Sequence, residues 1–79
     1  MITQTPKIRQ FTSIATVALG PDAVTARGKA VEVEIHKNIF FIEEVGGLIV
    51  YTQSNVKHST LHRDPILAFH MLEGIAAES

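Results

Sequence analysis

The strictest constraint on this chain lies between Val31 and Gln53. Residues 31–36 read Val-Glu-Val-Glu-Ile-His, an apolar–polar alternation with the period of a strand that buries one face. Two turn signals follow. Lys37-Asn38 suits a two-residue hairpin turn, because Asn tolerates positive φ. Gly46-Gly47 suits a second one. The segments between and after them, residues 39–45 and 48–53, are rich in β-branched and aromatic residues, which favour strands.

Strands joined by two-residue turns pair antiparallel, and the turns set the register. Ile35 is then expected opposite Phe40, Val33 opposite Ile42 and Val31 opposite Glu44. In the next hairpin Ile42 faces Tyr51, Glu44 faces Ile49 and Phe40 faces Gln53. Val31, Val33, Ile35, Phe40, Ile42, Ile49 and Tyr51 share one face, the expected core.

Upstream, residues 11–19 (Phe-Thr-Ser-Ile-Ala-Thr-Val-Ala-Leu) read as a strand with Phe11, Ala15, Val17 and Leu19 on one side. Residues 1–10 are polar and read as an N-terminal arm, flexible or pairing with a sheet edge. Gly20-Pro21-Asp22 marks a turn. A second strand begins near Val24, but its apolar positions change parity between Ala26 and Val31. A β-bulge at Arg27-Gly28-Lys29 would absorb that change. Downstream, residues 54–63 read as a polar loop. Asp64 is a helix N-cap and Pro65 fits the first helical position. From Ile66 to Ala77 a helix is expected, with Leu67, Ala68, Phe69, Met71, Leu72, Ile75 and Ala76 buried over most of its girth. The expected fold is therefore α+β: a four-stranded antiparallel β-meander in residues 11–79, followed by one C-terminal helix on one sheet face.

One helix cannot cover both faces of a sheet. The second face carries Ile39, Phe41, Val45, Leu48 and Val50, beside Glu32, Glu34, His36 and Glu43. Burying each such apolar side chain contributes about 1.5–3 kcal/mol, so a cover is expected: a second copy, another protein or the arm. The apolar five would be the anchors of a protein-binding surface, and Glu32, Glu34 and Glu43 its polar rim.

Other chemistry is weaker. His58 and His62 would share a metal only on a helix; on a strand they lie about 13 Å apart. Ser59, His62 and Asp64 have the residue types of a hydrolytic triad, but neighbours in one segment rarely reach its geometry. Glu32 and Glu43 fall opposite each other in the expected register, where like charges destabilise. Lys57, His58, His62 and Arg63 make the segment before the helix locally basic, a candidate anion site beside the helix N-terminus. Phe40, Phe41 and Tyr51 could stack bases, yet their strands carry Glu32, Glu34, Glu43 and Glu44 rather than cations.

With 79 residues, one domain is expected. A net charge of −1 argues against binding nucleic acid by bulk charge. The absence of cysteine removes disulfides and thiolate metal sites and suits the cytoplasm. The longest unbroken apolar run, residues 39–42, is far too short for a membrane span. No signal peptide, cofactor motif or metal motif is evident.

The expected function is thus a small non-enzymatic protein–protein interaction module, homodimeric through the open sheet face. Adaptors, regulators and inhibitors, including those carried by phages and mobile elements, are often this small. Two alternatives stand beside it. One is a small enzyme or ligand binder with a pocket between subunits, using His36, Glu34 and Glu43. The other is a nucleic-acid-binding regulator using residues 57–63.

Overall fold

A computed structural model describes residues 4–54 and 56–78, the side chains of Val56 and Lys57 excepted. The order of elements is α1 (Pro6–Leu19), a 3-10 turn (Pro21–Ala23), β1 (Val24–Arg27), β2 (Ala30–Ile35), β3 (Asn38–Val45), β4 (Leu48–Gln53), β5 (Val56–His62) and α2 (Pro65–Ala77). The strands form one antiparallel sheet in the order β1-β2-β3-β4-β5. The α+β class and the meander are as expected. The sheet has five strands rather than four, and two helices flank it in sequence rather than one.

The segment read as an arm and a strand is helix α1. Thr5 caps it, its Oγ1 accepting from the Ile8 N–H at 3.3 Å, and Pro6 occupies the first turn. Gly20, at φ 94°, ends the helix by donating its N–H to the Thr16 carbonyl, and Pro21 follows. Ile8, Phe11 and Ala15 form the buried stripe, the i, i+3, i+7 spacing of a helix. Two side chains fasten the helix start to the sheet. Gln4 Nε2 donates to the Ala30 carbonyl at 2.9 Å, and Lys7 Nζ donates to the Gly47 carbonyl at 2.7 Å.

Helix α2 starts as expected, with Asp64 Oδ1 accepting from the Ile66 N–H at 2.9 Å and Pro65 in the first turn. Its burial is narrower than expected. Ala68, Phe69, Leu72 and Ala76 face the core, whereas Leu67 and Met71 are exposed. The helix lies beside α1, so it needs only the stripe that meets the sheet and that neighbour.

Three turns set the pairing of β1 to β4. No bulge is needed at Arg27-Gly28-Lys29: Gly28 and Lys29 are a hairpin turn between separate strands, Arg27 pairing with Ala30 and Ala26 with Val31. A two-residue turn pairs even positions with odd ones, which is the parity change seen in the sequence. The next turn is His36-Lys37, not Lys37-Asn38, since Ile35 pairs with Asn38. Both residues adopt positive φ, 52° and 68°, at about 1–2 kcal/mol each. The gain lies in the partners. Val31 meets Ile42 and Val33 meets Phe40, whereas the expected register sets Val31 against Glu44. Sliding the turn by one residue moves each partner by two, so every side chain keeps its face. The third turn, Gly46-Gly47, and the β3–β4 register are as expected, with Ile42 opposite Tyr51 and Glu44 opposite Ile49.

Residues 56–62 are edge strand β5 instead of loop. The register shifts twice along it, between Ile49 and Val50 and between Tyr51 and Gln53. Such irregularities blunt an edge against unwanted pairing.

Ile8, Phe11 and Ala15 of α1, Ala68, Phe69, Leu72 and Ala76 of α2, and Val31, Val33, Ile35, Phe40, Ile42, Ile49 and Leu61 of the sheet make one core. Edge-on ring contacts tie it together, Phe11 to Phe69 at 5.9 Å and Phe40 to Tyr51 at 5.8 Å. Both helices therefore lie on the same face of the sheet. Among the described residues no helix is long and apolar enough to cross a membrane.

Candidate functional site

The uncovered face of the sheet is the candidate site. Strand alternation sends Ile39, Phe41, Glu43 and Val45 of β3 away from the core, and does the same for Glu32 and Glu34 of β2 and for Leu48 and Val50 of β4. Ile39, Phe41 and Val45 are 43%, 41% and 52% exposed. Leu48 is half-buried. Val50 differs. It is 6% exposed, yet it stands outside the main core. It pairs with Glu43 on one side and Thr60 on the other. His58 Nε2 and Glu43 Oε1 are 2.9 Å apart, a bridge from β5 to β3 that crosses β4, the strand of Val50. The surface anchors are thus Ile39, Phe41, Val45 and Leu48, with Val50 a sheltered floor beside them.

The rim is acidic and partly neutralised. Glu32 lies 3.4 Å from the Arg27 guanidinium. Glu43 pairs with His58, as an ion pair when the imidazole is protonated. Glu34 is exposed and has no ion-pair partner among the described residues. The expected confrontation of Glu32 with Glu43 does not occur, because the shifted turn sets Glu32 opposite Phe41 and Glu43 opposite Val50.

The other candidates come apart in space. His36 sits in the β2–β3 turn and, with Glu34 and Lys37, borders a shallow hollow of about 290 Å³. Glu43 lies four residues along β3 from Ile39, the residue opposite Glu34, or about 13 Å, so His36, Glu34 and Glu43 do not form one acid–base set. Ser59 lies opposite Tyr51. His62 Nδ1 accepts from the Asp64 backbone N–H at 3.0 Å, and the Asp64 carboxylate caps α2. Ser59, His62 and Asp64 therefore lack the side-chain relay of a triad.

The basic cluster is dispersed as well. His58 turns to Glu43, His62 is held by Asp64, and Arg63 borders a small hollow with Lys7, Gly46, Gly47 and Leu48. Lys57 has its side chain outside the described atoms. Among the described residues no three His, Asp or Glu side chains are placed to hold a metal.

Sequence reasoning missed the outer surface of the helical layer. Val17, Ile66, Leu67 and Met71 are all exposed there. Val17 was open to detection, since it lies opposite the stripe of Ile8, Phe11 and Ala15 once residues 6–19 are read as a helix. Comparison with protein-family models, with curated proteins and with solved structures finds no match for this chain.

Proposed function

We propose that this chain is a small non-enzymatic protein-interaction module, an adaptor, regulator or inhibitor acting in the cytoplasm, that takes its partner on the sheet face opposite the helices. One observation carries this reading: both helices pack on the same face, leaving Ile39, Phe41 and Val45 exposed on the other. Clustered apolar side chains at a protein surface rimmed by charge are the usual mark of a docking site.

The rim favours a particular partner chemistry. Among the described residues, three carboxylates, Glu32, Glu34 and Glu43, are met on this face by one guanidinium, Arg27, and one imidazole, His58. A second copy docked face to face would set acid near acid, and like charges brought together cost affinity. An apolar patch with basic margins is the better complement, so the expected homodimer is not assigned to this surface.

The test compares proteins retained from native lysate by the immobilised wild-type chain and by a Phe41→Asp variant whose melting curve shows that it folds. The expected result is a partner retained by the wild type, released by raised salt and lost with Phe41→Asp. The same proteins retained equally by both would overturn the assignment.

A further inference from the structure

We propose that the outer surface of the two-helix layer is a self-association surface, and that its occupant is a second copy of this chain related by a two-fold axis. A groove runs between α1 and α2 on the side away from the sheet. One part, of about 560 Å³, is bordered by Ile14, Val17, Ala18, Phe69, His70 and Glu73. The adjoining part, of about 530 Å³, shares Ser13 and Ile14 and extends to Arg9, Asp64 and Ile66. Val17 on its wall is 88% exposed, the most exposed large apolar side chain among the described residues. Ile66 borders the groove, and Leu67 and Met71 stand exposed on the same helix.

The distribution of charge identifies the occupant. Arg9 lies at the end of the groove where both helices begin, and it has no ion-pair partner among the described residues. Glu73 lies at the opposite end, its only described ion-pair partner being the neighbouring His70 at 3.4 Å. At the first end Asp64 is already committed to capping α2. A two-fold axis perpendicular to the groove turns one copy end for end, so Arg9 of each copy approaches Glu73 of the other. The same operation sets the positive N-terminal end of α1, which has no acidic residue in its first turn, beside the negative C-terminal ends of the other copy's helices. With the Asp64 carboxylate set against the N-terminus of α2, the charges left facing outward are Arg9 at one end and Glu73 at the other, and such a surface complements itself in this way, as an isologous contact requires. The acidic sheet face does not. The product would be a dimer with its helices inside and two free sheet faces outside.

Sedimentation velocity over a range of concentrations tests this, with a thermal melt of each variant as the control for folding. Wild type is expected to dimerise. Val17→Glu should raise the dissociation constant by about tenfold or more, since a two-fold contact loses the side chain twice. Arg9→Glu and Glu73→Arg should each weaken association, and the double variant should recover it. A wild type that stays monomeric throughout would overturn the proposal. So would a dimer indifferent to Val17→Glu but disrupted by Phe41→Asp, or a double reversal as weak as its single parents.

Discussion

Replacing Phe11 with alanine, and separately Val17 with glutamate, asks whether residues 6–19 are helix or strand. A strand puts Phe11 and Val17 on one face, so both changes would be costly. Helix α1 separates them. Phe11 is fully buried, with its ring edge-on to Phe69 at 5.9 Å, whereas Val17 is 88% exposed. Removing a buried Phe side chain costs about 3–5 kcal/mol. A chain of 79 residues has a total stability of about 4–12 kcal/mol, so Phe11→Ala should lower the melting temperature by about 15–30 °C or abolish folding. Glu is a slightly better helix former than Val, so Val17→Glu should stay within about 0.5 kcal/mol of wild type. Urea titration followed by far-UV circular dichroism gives both values, with samples dilute enough that association does not contribute. A loss above about 2 kcal/mol for Val17→Glu, or a mild Phe11→Ala, would refute the helix assignment.

Two further changes probe the sheet. His36→Asn with Lys37→Gly should stabilise the chain by about 1 kcal/mol or more, because Asn and Gly accept positive φ at lower cost, while Asn38→Gly should destabilise it by weakening β3; the reverse order in urea titration would place the turn at residues 37 and 38. Glu44 Oε1 is shielded and accepts no hydrogen bond from the described residues, so Glu44→Met should raise stability by about 1 kcal/mol, and a comparable loss would mean that the carboxylate is engaged.

The elements legible in the sequence were those with one strong local signal. Asp64-Pro65 marked the start of α2, and Gly46-Gly47 fixed the β3–β4 register. Thr5-Pro6 and Gly20-Pro21 are equally good start and stop signals for α1. Phe11, Ala15 and Leu19, however, are spaced by four, a spacing that fits a strand face as well as a helix stripe. Ile8 resolves the ambiguity, because it joins the stripe only at helical period. Strand β5 was hidden because its register shifts break the alternation and Leu61 is the single core residue it supplies among the described side chains. The first hairpin was misplaced by one residue, yet its faces survived because a turn of constant length slides partners by an even number. For the same reason Ile39 and Phe41 stand on the open face, as the alternation required. The shelter of Val50 was not legible, because it lies on β4 between Glu43 of β3 and Thr60 of β5, and β4 is an inner strand only when β5 is a strand.

Hydroxyl-radical footprinting of the chain with and without its captured partner addresses the docking face most directly. Ile39, Phe41 and Leu48 should lose reactivity in the complex, while Leu67 and Met71 on the helical layer keep the reactivity they have in the partner-free protein. Unchanged modification at Phe41, with protection confined to the helices or to β5, would contradict the assignment of the sheet face as the partner surface.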